Sequence, residues 1–243
     1  MRALGYDVVR YRETVREYPS DFTSCHTEII RAVEPYTMTS PERLYALMEA
    51  VRYIVASEIP GSFVECGVWK GGSTMAAALM LSELKRTDRQ LYLFDTFEGM
   101  PRPSEVDTDR QDARAIDTFE ALQTGQDSSD FCRAHFAEVQ EALASTGYPQ
   151  QSVHWVKGKV EDTIPENAPD SIALLRLDTD WYESTRHELE HLFPRLSPGG
   201  VLIIDDYGHW QGCQKAVDEY FDKNRTRIFL SRIDYTGRIG IKV

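Results

Sequence analysis

The sequence predicts a doubly wound α/β fold, a mostly parallel sheet covered on both faces and ended by an antiparallel hairpin. Three observations predict it. At 243 residues the chain is sized for one compact domain with an appended arm. Short β-type runs at 62–65, 91–94, 153–156, 172–177 and 201–204 alternate with helix-length stretches, the pattern of βαβ units in a parallel sheet. The tail changes pattern: 227–233 and 238–243 flank Tyr235-Thr236-Gly237 as a terminal hairpin.

The elements follow in order. Residues 1–60 read as an N-terminal helical arm, with a charged stretch at 10–17. Ser40-Pro41 then opens a helix as N-cap and first-turn proline. Leu44, Leu47, Met48, Val51, Ile54 and Val55 lay one apolar stripe along it. Residues 61–243 form the main domain. An insertion at about 101–150 interrupts it, and residues 105–141 hold ten acidic and three basic side chains. An excursion longer than ~15 residues after a strand is usually a lid or binding loop, and a partly helical lid is expected here. No internal repeat or low-complexity tract is found.

Composition removes several function classes. Lys plus Arg total 27 against 39 acids, a net charge of −12, which disfavours nucleic acid and anionic membrane as partners. Cys25, Cys66, Cys132 and Cys213 lie far apart with no C-x-x-C pair, suggesting reduced thiols. The first residues hold no leader-like segment, and no apolar run nears the ~18 residues a bilayer requires. A soluble cytoplasmic protein is expected.

The first strand runs into Glu65-Cys66-Gly67-Val68-Trp69-Lys70-Gly71-Gly72-Ser73. Glycines between strand and helix let backbone approach a ligand. The dinucleotide fingerprint would need glycine at 69, where tryptophan stands, and this weighs against a nicotinamide-dependent oxidoreductase. Glu65 suits a ligand with a positive amino group. Asp95, at the next strand tip, is placed to meet ribose hydroxyls, and residues 157–162 offer backbone and a carboxylate to an adenine edge. Adenine, ribose and an amino-acid cation without phosphates describe S-adenosylmethionine. The plainer alternative makes Glu65 and Asp95 helix-capping acids.

The fourth and fifth strands end in Asp178-Thr179-Asp180 and Asp205-Asp206. Parallel strand ends share one edge, so Asp178, Asp205 and Asp206 should converge, with no basic residue at the same tips. Such crowding needs a cation or a proton. An all-carboxylate set suits Mg²⁺, with Mn²⁺ or Ca²⁺ as alternatives. Asp180 is then the candidate general base, unless it is a helix N-cap and Asp206 a turn residue. His187-Glu188-Leu189-Glu190-His191 matches H-E-x-x-H. Its histidines lie opposite the stripe of Leu189, Leu192, Phe193 and Leu196, however, and read as a solvated face.

Together these stretches resemble the macrocin O-methyltransferase family, enzymes of antibiotic biosynthesis that methylate sugar hydroxyls. The likeness spans roughly residues 35–243. Its motifs are residues 63–73, Phe94-Asp95-Thr96-Phe97-Glu98-Gly99-Met100-Pro101, residues 175–185, and Pro198-Gly199-Gly200 through Asp205-Asp206-Tyr207-Gly208. The resemblance implies the seven-stranded class I methyltransferase sheet, a divalent metal (usually Mg²⁺) on Asp178, Asp205 and Asp206, and Asp180 as base, with Asp178 a candidate to share that role. Glu65, Gly67, Val68, Ser73, Asp95, Thr96, Gly158, Val160 and Asp162 would hold S-adenosylmethionine, with Thr37 and Met38 closing over it. It also implies a homodimer whose N-terminal segments help shape the site. Two positions depart from the family's commoner pattern: Val160, where an aromatic is usual, and Thr179-Asp180-Trp181, where glycine and an aliphatic residue often flank the second acid. The expected activity is methyl transfer to a hydroxyl of a deoxysugar on a small glycosylated natural product. The alternative acceptor is a catechol or another phenol.

Overall fold

The computed structural model describes residues 18–243; the helical reading of 1–17, its charged stretch included, lies outside the described residues. The arm supplies α1 (Ser24–Val33) and α2 (Pro41–Ala56). Ser40 caps α2 as expected, its side chain accepting from Arg43 N. The sheet is built from β1 (Ser62–Cys66), β2 (Leu91–Asp95), β5 (Val153–Lys157), β6 (Ile172–Leu177), β7 (Leu196–Ile204), β8 (Ser231–Arg232) and β9 (Arg238–Ile241). Its order is β5-β2-β1-β6-β7-β9-β8, parallel through β7 and antiparallel beyond. The terminal hairpin thus closes the sheet as the sequence suggests, though its first arm pairs over only two residues. β7 begins five residues before the apolar run, with a register break opposite Ile172–Leu174 that absorbs Pro198-Gly199-Gly200.

Strand alternation divides the core in two. Phe63, Leu174, Val201 and Ile203 face α1, α2 and α3 (Gly72–Glu83). Val64, Cys66, Leu175, Leu177, Leu202 and Ile204 face α7 (Tyr182–Leu192) and α8 (Gln211–Asn224). The strand order reverses at β1 and β6, and that switch point opens a crevice at their C-terminal ends.

The insertion is partly helical, with α4 (Ala115–Ala121), a small β3–β4 ribbon (Gln123–Gly125, Ser128–Ser129) and α5 (Phe136–Ala144). It is anchored to the sheet domain. Buried Asp107 accepts from Tyr182 N at 2.8 Å, and Arg110 donates to the carbonyls of Tyr207 and Gly208. Among the described residues no helix is long and apolar enough to cross a membrane, and the four cysteines are unbridged.

Candidate active site

Register builds the site. Cys66 pairs with Leu177, and Leu177 with Ile204, so the next residues, Gly67, Asp178 and Asp205, lie in one row. Asp178 N donates to the Cys66 carbonyl and Asp205 N to that of Leu177, each at 2.9 Å. This close approach requires glycine at 67: φ is +82°, and a Cβ there would lie 1.9 Å from the Asp178 carbonyl oxygen. Gly67→Ala is therefore expected to cost about 2–4 kcal/mol, combining overpacking with left-handed strain. Gly147→Ala is the control, because φ is +74° there and nothing stands within 4 Å of the new carbon. Thermal unfolding of the two variants separates clash from strain.

A cavity of about 360 Å³ opens above this row. One wall is the loop after β1. Asp95 holds it, one oxygen accepting from Val68 N at 2.7 Å and Trp69 N at 2.9 Å, the other from Phe97 N at 2.6 Å. Trp69 itself sits at φ +47°, so the backbone turns there as a glycine loop does, and the residue borders the cavity. Thr96 closes the following turn by donating to the Gly99 carbonyl at 2.7 Å. Gly158 N donates to the Asp95 carbonyl at 3.0 Å, carrying the wall on to Val160. The arm segment 36–39 crosses the start of α3, where a Cβ on Gly72 would meet the Tyr36 carbonyl at 2.6 Å. There Thr39 meets Ser73 at 3.4 Å.

Every anticipated site residue but one borders this cavity: Thr37, Met38, Glu65, Gly67, Val68 and Ser73, then Asp95, Thr96, Gly158 and Val160, and the acids Asp178, Asp180, Asp205 and Asp206. Asp162 is the exception. It points to solvent from α6 (Val160–Thr163), and its neighbour Glu161 borders the cavity instead. The lid contributes Met100, Pro101, Phe131 and Cys132.

The acid cluster corrects one expectation. Two arginines stand among the strand tips. Arg176, 2% exposed, binds Glu65 at 2.7 Å, Asp178 at 2.7 Å and Asp205 at 2.6 Å. Arg43 reaches in from α2 to Asp205 and, at 2.9 Å, to Asp234. Arg176 was legible: it pairs in register with Glu65, and a period of two sends it to the same face as Asp178. Arg43 had no comparable signal. Glu65 is correspondingly occupied, its second oxygen accepting from Thr74. Burial lifts its pKa, while Arg176 pulls it down.

Neither plain structural reading accounts for the acids. The N-cap of α7 is Trp181, and the first-turn N–H of Tyr182 is satisfied by Asp107, so Asp180 is free of capping. It sits at φ +65°, beside Asp206 and Trp210, whose side chains pull its pKa down. Burial first, then the charges of Asp205 and Asp107, raise its pKa to about 6. The Asp206 backbone does close a turn onto His209 and Trp210. Its Oδ2, however, is buried and has no hydrogen-bond partner among the described residues. Burial and the charges of Asp180, Asp178 and Asp205 push its pKa well up.

Asp178, Asp205 and Asp206 each offer an oxygen, and the three lie within 4.8 Å of one another. An all-oxygen set with an orphaned buried carboxylate oxygen fits a hard divalent cation. The H-E-x-x-H segment makes no such set. The rings of His187 and His191 lie 4.4 Å apart, tilted by 52°, on a half-buried face, less solvated than expected. His187 Nε2 meets the Ile164 carbonyl, and Glu188 turns inward to accept from Thr179.

A sheet in this order, with a ligand-sized cavity at its switch point and acids at its strand tips, defines a class I S-adenosylmethionine-dependent methyltransferase. The chain belongs to the macrocin O-methyltransferase (TylF) family, whose profile matches residues 13–239, and it is an O-methyltransferase. It is 36% identical over 202 residues to 8-demethyl-8-(2,3-dimethoxy-alpha-L-rhamnosyl)-tetracenomycin-C 4'-O-methyltransferase of Streptomyces olivaceus, covering 83% of this chain and 74% of that protein. It is 32% identical over 202 residues to mycinamicin III 3''-O-methyltransferase of Micromonospora griseorubida, covering 83% and 76%. The solved structure of the O-methyltransferase NovP superposes with a TM-score of 0.74 at 31% identity, covering 86% of this chain and 82% of that one.

Proposed function

We propose that the enzyme methylates a hydroxyl of a deoxysugar on a small glycosylated natural product of the antibiotic type, with a divalent cation, Mg²⁺ or Mn²⁺, held by Asp178, Asp205 and Asp206. The observation that carries the metal is the buried, unpartnered oxygen of Asp206 beside two further convergent carboxylates. The sugar acceptor is supported by the rhamnosyl acceptor named for the Streptomyces olivaceus relative.

The donor would lie along the cavity wall from Glu65 and Ser73 past Asp95 to Gly158 and Val160. Asp95 keeps the β1 loop in the shape that admits a ribose. Val160, smaller than an aromatic, leaves a wider adenine slot. At the acid end the acceptor oxygen attacks the sulfonium methyl. The O–C bond forms as the S–C bond breaks, leaving S-adenosylhomocysteine, and the hydroxyl proton passes to Asp180. When bound, a divalent cation at the three acids lowers the pKa of a hydroxyl and orients it. Trp210 stands beside Asp180 and favours its charged form, and the lid residues Phe131 and Cys132 border the same cavity. Positioning supplies much of the acceleration.

Calorimetric titration with S-adenosylhomocysteine and with NAD, followed by transfer assays on deoxysugar glycosides and on catechols, tests this reading. Binding of S-adenosylhomocysteine alone and turnover of the glycoside are expected. Turnover of catechol alone would move the acceptor to the phenol class. EDTA is expected to lower turnover at least ~100-fold, with Mg²⁺ or Mn²⁺ restoring it; turnover indifferent to EDTA would remove the metal.

A further inference from the structure

Both oxygens of Asp205 are already held by cations. Oδ1 accepts from Arg176 Nη2 at 2.6 Å, and Oδ2 accepts from Arg43 Nη1. The two arginines differ in what else binds them. Arg176 is locked in the sheet between Glu65, Asp178 and Asp205. Arg43 stands at the cavity edge with its side chain 14% exposed, and it has a second acid outside the cluster. Asp234, in the hairpin turn, accepts from Arg43 Nε at 2.9 Å and from the Ser40 hydroxyl at 2.6 Å. Arg43 can therefore lose Asp205 and remain paired.

Resting on the metal reading above, we propose that Arg43 is a positioning residue: it acts as the resident counter-ion of Asp205 in the metal-free enzyme and competes with the divalent cation for that carboxylate. Without a cation, Asp178, Asp180, Asp205 and Asp206 repel one another, and a guanidinium on Asp205 offsets part of that cost. In the loaded enzyme the same guanidinium would stand beside a second positive charge, which is unfavourable at contact distance. Arg43 then gives up Asp205 and keeps the bond it already makes to Asp234. Arg43 rides on α2, so metal occupancy and the seating of the arm are linked, and the linkage acts in both directions.

The test is calorimetric titration of Mg²⁺ and of Mn²⁺ into the wild-type enzyme, Arg43→Gln, Asp234→Asn and the double variant. Arg43→Gln is expected to bind metal about tenfold more tightly, within the range that coupled sites show; a merely structural role for Arg43 requires the opposite sign. Asp234→Asn, which removes the fallback partner, is expected to bind about fivefold more weakly, with the double variant within about twofold of Arg43→Gln. Equal or weaker binding by Arg43→Gln overturns the proposal while the metal reading stands. If no variant and not the wild type binds either ion, the metal reading falls and the proposal with it. Should Arg43→Gln not fold, Asp234→Asn decides: weaker binding supports the competition, and unchanged binding overturns it.

Discussion

Asp180→Asn is expected to lower methyl transfer by about 10²–10⁴-fold, the usual contribution of a positioned general base, while S-adenosylhomocysteine binding stays within about twofold. The substitution isolates the proton. Asp180 sits at φ +65°, a conformation that asparagine adopts with little strain. The amide also keeps the size and one oxygen of the carboxylate that Trp210 stands beside. What it cannot do is accept the hydroxyl proton. Single-turnover assays beside calorimetry separate the two effects. Activity within about threefold of wild type would remove Asp180 as base and leave Asp178 as the candidate. Asp178 is distinguishable because its loss should also abolish metal binding.

Arg176→Met is expected to destabilise the fold by about 3–5 kcal/mol, the cost of stripping one partner from a buried ion network. In a chain of this length that corresponds to a fall of about 10 °C in Tm. The side chain is 2% exposed and satisfies Glu65, Asp178 and Asp205 together. Removing it leaves Glu65 and Asp178 without their guanidinium and Asp205 with Arg43 alone, in a poorly solvated place. Arg176→Lys should fall between the two, since it keeps the charge but lacks the planar fork that reaches separate carboxylates from two nitrogens. Thermal unfolding of both variants checks the order. A methionine variant as stable as wild type would mean that the acids are held apart by something other than Arg176.

Much of this was legible without coordinates. The alternation of apolar runs with helical stretches marked the five parallel strands, and the change of pattern after 227 marked the hairpin. Both are local signals that survive folding, because a strand buried on two faces must be apolar whatever its neighbours are. The acids at the strand tips were legible for the same reason: once strands are parallel, residues at or just past their C-terminal ends share an edge. That rule brought Glu65, Asp95, Asp178 and Asp205 to one cavity. It failed at Asp162, where a four-residue helix, α6, sets which neighbour faces inward, and a turn that short leaves no periodicity to read.

The sequence by itself determined the fold class, the edge of the sheet where chemistry is placed, and the carboxylates that meet there. Only the tertiary structure decided the charge balance of that meeting. Arg43 and Asp205 are separated by 162 positions, and nothing in the apolar stripe of α2 marks which polar residue overhangs the strand ends. That depends on how the helix crosses the sheet and on where its first turn stops. Strand pairing is written in a repeat of two and helix burial in a repeat of 3.6. The contact between a helix end and a distant strand tip is set by packing distance and angle, and no period in the chain encodes them.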